Sequence, residues 1–353
     1  MMIVRLLFLL GAIICARADL QSCYPNSIIN PPVNKNQSYY YPAGWTDDQD
    51  APQFYGRLQC LWTVSIPRGY FATVQVKKSG DHTTYVEIKD AIGFSSFPEG
   101  YMQPYYYVPF KFSIMLDTAQ QTTDTTFAFK ITWRPIPTAK NNIITVDPAN
   151  PIIVNTTYLQ PTVINGSSKI SLLPLPTGLS DSVAMRSIIV FDGNSSDGDY
   201  MGNFDEEYIH KSSFQSKSKS NSLFIVDLAP AAKSDLFMIQ NHKNVKDIKK
   251  CFGLVYYDNT NTTVKVPTNY GDGESVVVSV TNTADILTHA QIMDDFQLSV
   301  YNGTITAKNL LFKFDTKNIN SQLPKSFGPG IIQYVIQYSE QDQANHYLEF
   351  KRN

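Results

Sequence analysis

Alternation of apolar and polar residues with a period of two runs through most of this chain, and that pattern constrains its fold more than any other feature. Cys60, Trp62, Val64 and Ile66 fall on one face, with Leu61, Thr63 and Ser65 on the other. Ala72, Val74 and Val76 alternate with Thr73, Gln75 and Lys77, and Val86 and Ile88 with Glu87 and Lys89. Phe110, Phe112, Ile114 and Leu116 alternate with Lys111, Ser113 and Met115; Phe127, Phe129, Ile131 and Trp133 alternate with Ala128, Lys130 and Thr132. Successive side chains of a strand point to opposite faces, so each segment predicts a strand with one face buried. Five such strands separated by Gly, Pro, Asp and Ser describe an antiparallel sandwich.

The four prolines Pro135, Pro137, Pro148 and Pro151 mark a boundary, after which the pattern resumes. Strands are predicted at 187–191, 222–228, 276–280, 296–301, 310–314 and 331–338. Two segments read as helices. One is Ala284–Asp295, with Thr283 as N-cap and Leu287, Ala290 and Met293 or Asp294 on neighbouring turns; the other is Leu236–Lys250. A weak repeat also appears. Lys89-Asp90, Phe191-Asp192 and Tyr301-Asn302 each end an apolar strand, and each is followed by a strand closing on Asp117, Asp227 or Asp315. Two readings stay open: three tandem sandwiches, or a pattern common to any sandwich.

The 353 residues suffice for two or three domains. The expected division is a signal peptide at 1–18, a first sandwich at 19–136, a second at 137–250 and a third β-rich region at 251–353. Arg5, the apolar run Leu6–Cys15 and Ala16-Arg17-Ala18 form the signal, whose apolar run is too short to span a bilayer. No later run is long enough to span one either, so the mature chain is expected to be exported and soluble. Six Asn-x-Ser/Thr sequons, at Asn36, Asn155, Asn165, Asn194, Asn261 and Asn302, fit a glycoprotein. Cys23 and Cys60 flank one stretch, and a disulfide between them would contribute about 4 kcal/mol. Cys251 is left over, either buried and inert or joining chains into an oligomer. A formal net charge of −2 argues against nucleic-acid binding, which needs clustered positive charge.

Particular residues carry a family resemblance across about 20–136. They are Cys23, Tyr39-Tyr40-Tyr41-Pro42, Cys60-Leu61-Trp62-Thr63-Val64, Pro67-Arg68-Gly69-Tyr70, Tyr85–Asp90 and Phe127–Trp133. This stretch resembles the CUB-like domains of secreted nematode proteins, distant relatives of the extracellular CUB sandwich. The second region, at Asn165-Gly166, 187–193 and Met201–Phe204, looks like a diverged copy, and the third does so faintly. The resemblance implies an all-β, jelly-roll type sandwich serving extracellular recognition without catalysis, with family links to innate immune and stress responses. Many CUB domains also hold calcium. Here Thr84 stands where an Asp is expected, Val76-Lys77-Lys78 offers no Glu, and Asp117 alone cannot supply six to eight oxygens.

A search for chemistry finds no catalytic pattern, and no cofactor or metal is expected. His82, His210, His242, His289 and His346 are scattered without ligand spacing. The segment Asp192–Asp199 has misplaced glycines and Asn203 where an EF-hand needs Glu. Asp205, Glu206 and Glu207 read as a solvated acidic loop rather than as paired hydrolytic carboxylates. Two surface candidates remain. Tyr101, Tyr105, Tyr106 and Tyr107 either contact a ligand or cap the core; Lys243, Lys246, Lys249 and Lys250 either meet anions or form a solvated face. The expected function is non-catalytic recognition of an extracellular glycan, microbial surface or protein. The alternative is a structural or assembly component.

Overall fold

The computed structural model describes residues 27–34, 37–80, 84–118, 122–175, 185–205, 216–230, 235–254, 263–267, 274–281, 285–292, 296–337 and 347–352. The chain divides into two compact units after Ile136. Cys23, Asn36, Asn261, His82, His210, His346, Glu206, Glu207 and the segment read as a signal peptide lie outside the described residues.

In the first unit the strands are β1 (Ser27–Ile29), β2 (Tyr39–Tyr41), β3 (Gln53–Gly56), β4 (Gln59–Ser65), β5 (Tyr70–Ser79), β6 (Thr84–Lys89), β7 (Ser95–Ser96), β8 (Tyr101–Tyr107), β9 (Lys111–Thr118) and β10 (Thr122–Pro135). Sheet A has the order β1-β4-β9-β6-β7, and sheet B the order β2-β10-β5-β8 with β3 beside β10. The inward phases of the two sheets meet in one core. Trp62, Ile88 and Ile114 come from sheet A, and Val74, Phe129 and Trp133 from sheet B. Trp62 lies at its centre, with ring centroids 4.7 Å from Tyr41, 5.2 Å from Phe129 and 5.8 Å from Phe127. The buried Trp133 indole satisfies its N–H on the Ser65 carbonyl at 3.0 Å.

The second unit continues with β11 (Ile143–Thr145), β12 (Ile152–Asn155), β13 (Thr162–Asn165), β14 (Ile170–Leu175), β15 (Ile188–Asp192), β16 (Asp199–Asn203), β17 (Ser216–Lys217), β18 (Ser222–Asp227) and β19 (Leu236–Asn241). It ends with β20 (Ile248–Gly253), β21 (Thr263–Pro267), β22 (Glu274–Thr281), β23 (Asp285–Gln291), β24 (Gln297–Asn302), β25 (Leu310–Lys313), β26 (Lys325–Ser326), β27 (Gly330–Gln337) and β28 (Tyr347–Arg352). Four sheets result: C (β11-β13-β18-β15-β16), D (β12-β19-β14-β17), E (β20-β22-β27-β24-β25) and F (β21-β28-β23-β26). C and D share one core, with Ile164, Ile188 and Ile225 facing Leu172, Phe237 and Ile239. E and F share another, with Val277, Leu298 and Tyr334 facing Leu287, Leu348 and Phe350.

One topology recurs in all three sheet pairs. With β3 set aside and the remaining strands numbered within each pair, every first sheet runs 1-3-8-5-6 and every second 2-9-4-7. The first strand lies parallel to the third in each case, an exception among otherwise antiparallel pairings. Asp90, Asp192 and Asn302 follow or end the equivalent strands β6, β15 and β24. Asp90 Oδ1 accepts from the N–H groups of Ile92 and Phe94, at 3.0 and 2.7 Å, so this acid closes a loop. The second acidic element needs a correction. Asp117 and Asp227 lie in the equivalent strands β9 and β18, but Asp315 follows β25, the counterpart of β7 and β16.

Both helical expectations are overturned. Residues 285–291 form β23, where a register shift between Leu287 and His289 inserts an extra residue. That bulge turns Leu287 and Ala290, three apart, into the same core and so imitates helical spacing. The segment 236–250 is β19, a single 3-10 turn at His242–Asn244 and the start of β20. In β19, Phe237 and Ile239 face one core while Met238 faces the opposite way into a separate buried cluster. With both sides covered, the period of two disappears from the sequence.

That separate cluster joins the outward faces of sheets D and E. Leu173, Leu175 and Met238 of D meet Cys251 and Val335 of E, all buried. Gln240 lies on the same side of β19 as Met238, is fully buried, and neither of its amide atoms has a hydrogen-bond partner among the described residues. A buried unsatisfied amide costs about 1–3 kcal/mol, more than an apolar group of equal size in its place. Gln240→Met is therefore expected to raise the stability of residues 137–353 by about 1 kcal/mol or more, read as a higher denaturant midpoint at unchanged slope.

Candidate functional site

Non-catalytic recognition requires a surface, so the site question becomes which side chains the sheets leave outside. β8 decides the tyrosine cluster. Its alternation buries Tyr105 (4% exposed) and Tyr107 (3%) in the first core, whereas Tyr101 is 77% exposed. Tyr107 stacks on Phe112 with ring centroids 4.5 Å apart, so these two tyrosines are structural and their reading as ligand contacts is withdrawn. Tyr106 points the other way, half-buried and 6.4 Å from the ring of Phe71. Of the four, only Tyr101 is largely open.

The outward side of sheet B is partly covered by its own chain. Residues 42–52 fold back over it, burying Trp45 against Ala51 and Ala128. The Trp45 indole donates to the Asp50 carbonyl at 3.2 Å. Asp47 accepts from the Lys130 ammonium, and that bond holds the Asp47 carboxyl below the usual carboxylate range and pushes Lys130 up. Deeper in, burial raises the Tyr41 phenol to about 12, so it stays neutral at physiological pH.

The outward side of sheet A is open. Leu61 on β4 and Met115 on β9 are directly opposite one another and half-buried. Tyr85 on β6 is 43% exposed and packs its ring 5.4 Å from Phe97, which is 52% exposed; Ile28 on β1 is 69% exposed. Sequence reasoning passed over this group. Its members occupy the polar phase of their strands, and Tyr85 in Tyr85-Val86-Glu87-Ile88 was the available signal.

Among the described residues no group of three His, Cys, Asp or Glu side chains is placed to hold a metal ion. At the positions where the CUB calcium pattern already departed, the Thr84 hydroxyl bonds that of Thr125 at 2.7 Å, and Gln59 donates to Asp117 at 3.4 Å. The Ser171 hydroxyl lies 3.0 Å from His242 Nδ1, a nucleophile–base distance. Ser171 is only 1% exposed, however, which closes it to a substrate. His289 packs beside the ring of Tyr347, and Asp205 pairs with Arg186 at 2.9 Å. Lys243, Lys246 and Lys249 are exposed, and burial lowers the pKa of Lys250.

The sequons differ in their surroundings. Asn155, Asn194 and Asn302 are exposed, and Asn165 is half-buried, with its carbonyl accepting from the Ser222 hydroxyl at 2.8 Å. The Asn155 carbonyl accepts from the Thr157 N–H and hydroxyl, at 2.7 and 2.6 Å. Cys60 is buried and disulfide-bonded. Cys251 is wholly buried, which shields its thiol from a second chain and removes the basis for a covalent oligomer.

Residues 18–137 match the family described as the CUB-like domain, and the sandwich of sheets A and B occupies that span. Domains of this family are typically extracellular binding modules and generally non-catalytic. No curated protein matches the chain. Among solved structures, the chain is similar to the CUB1-EGF-CUB2 region of human MASP-1/3, at 9% identity and a TM-score of 0.23, covering 58% of this chain and 98% of that one. The corresponding region of rat MASP-1 is 8% identical with a TM-score of 0.24, covering 93% and 100%. PliG of Salmonella Typhimurium, a periplasmic inhibitor of g-type lysozyme, is 12% identical with a TM-score of 0.19, covering 31% and 99%. Superpositions this loose carry no functional argument. No helix among the described residues is long and apolar enough to cross a membrane.

Proposed function

We propose that this chain is a secreted, N-glycosylated, non-catalytic recognition protein, an innate immune or stress-response factor that binds glycans, microbial surfaces or other extracellular proteins. The observation that carries the reading is the CUB-like match over 18–137, in a chain whose beginning reads as an export signal. The shared strand order extends the proposal to the rest of the chain: residues 137–353 are two diverged copies of the same module, with a boundary near 250. Cys23 is the proposed partner of Cys60, and the exposed sequons Asn155, Asn194 and Asn302 are the proposed sites of glycan attachment. Immune and stress roles come from the family resemblance alone.

The test is expression with the native N-terminus in a secreting eukaryotic host, followed by binding to glycan arrays and intact bacteria. The expected result is protein in the medium, shortened by 18 residues, losing mass on enzymatic deglycosylation and binding a defined surface class above a glycosylated control. Retention in the cytosol at full length, or no binding above the control, would sink the proposal.

A further inference from the structure

The three first sheets A, C and E share one topology, yet their outward faces have different fates. On sheet C the outward Ile189, Phe191, Phe224 and Val226 are all buried. On sheet E the outward Cys251 and Val335 are buried against sheet D. On sheet A the corresponding face stands open, with Ile28, Tyr85 and Phe97 between 43% and 69% exposed around Leu61 and Met115. Leu61 and Met115 are cross-strand neighbours and Tyr85 packs on Phe97, with Thr63, Glu87 and Asp117 among them; a face that mixes apolar and polar groups in this way has the composition of a non-obligate interface.

We propose that a second copy of this chain closes the outward face of sheet A, forming a two-fold symmetric dimer by face-to-face packing of the two sheets. The charge pattern of β9 identifies the occupant. Its outward residues are Lys111, Ser113, Met115 and Asp117, basic at one end and acidic at the other. The midpoint of this set is Ile114. A two-fold axis passing beside that residue, between the sheets and across the strands, lays each β9 antiparallel over its copy. Lys111 of each copy then faces Asp117 of the other, while Met115 and its neighbour Leu61, one residue from the axis, lie next to their counterparts at the centre. A face that complements itself under a two-fold rotation is what an isologous interface requires. The D–E contact within residues 137–353 already packs outward sheet faces of this chain on each other. Three strands of six to eight residues, flanked by one of three and one of two and about 4.8 Å apart, offer roughly 400 Å² of flat face per copy. That sits at the small end for specific complexes, so the dimer is expected in the micromolar range.

Sedimentation of the full-length glycosylated protein across a concentration series tests this. The wild type is expected to shift from monomer to dimer. Met115→Lys, on an outward position, is expected to stay monomeric throughout with an unchanged melting temperature. Asp117→Lys is expected to weaken the dimer by about tenfold, and Lys111→Asp added to it to recover most of that loss. A wild type that stays monomeric up to its solubility limit overturns the proposal. So does a dimer indifferent to Met115→Lys, or a double charge swap no better than the single one. Glycan and bacterial binding by the Met115→Lys monomer separates the two claims, since recognition can persist when dimerisation is lost.

Discussion

Trp62→Ala is expected to destabilise the first unit strongly while residues 137–353 keep their stability. The indole is 2% exposed and contacts three aromatic rings, two from the inward face of β10 and one from β2. Truncating a buried Trp to Ala costs about 3–5 kcal/mol, because the lost transfer energy is joined by that of an unfilled cavity. A domain's whole stability is about 5–15 kcal/mol, so this single change consumes much of it. Calorimetry is expected to show one transition moved down by about 10–25 degrees and another unmoved. A rigid downward shift of every transition would show that the two units do not melt separately.

Met238→Asp is the second large effect, and it acts on the other unit. Met238 is 1% exposed on the outward side of sheet D, facing Cys251 and Val335. A carboxylate there has no cation to pair with among the cluster's apolar members, and burying an unpaired charge costs several kcal/mol. The D–E junction is expected to open, and the cores between C and D and between E and F to outlast it. Limited proteolysis is then expected to cut the connection at 242–247 faster than in the wild type. A variant as resistant as the wild type would show that this junction contributes little to holding the sheets together.

Much of the fold of residues 27–136 could be read from the chain because each strand there has one wet and one dry face. Cys60, Trp62 and Val64 on β4, and Phe127, Phe129 and Ile131 on β10, announce themselves by a period of two. The same rule failed where both faces are dry. β19 and β23 read as helices, one because its outward Met238 is covered by sheet E and its outward Gln240 is buried as well, the other because a bulge displaced its alternation by one residue. The candidate surface was harder still. Four neighbouring tyrosines drew the eye, yet β8 turns Tyr105 and Tyr107 inward, while the open patch on sheet A gathers Ile28, Leu61, Tyr85, Phe97 and Met115 from five separate stretches.

What the amino-acid order determined alone is local: the alternation that makes strands, the turn residues that end them, the sequons, and the residues that mark a CUB-like segment. Tertiary structure decided which strands are neighbours, and with that the repeated 1-3-8-5-6 and 2-9-4-7 order shared by all three sheet pairs. It also decided which outward faces are covered. The reason is physical: a strand's side-chain pattern reports whether each face meets water, but not which other strand excludes that water. Cys251 illustrates it, since nothing beside it in the chain reveals that Leu173 and Val335, each about eighty residues away, enclose its thiol.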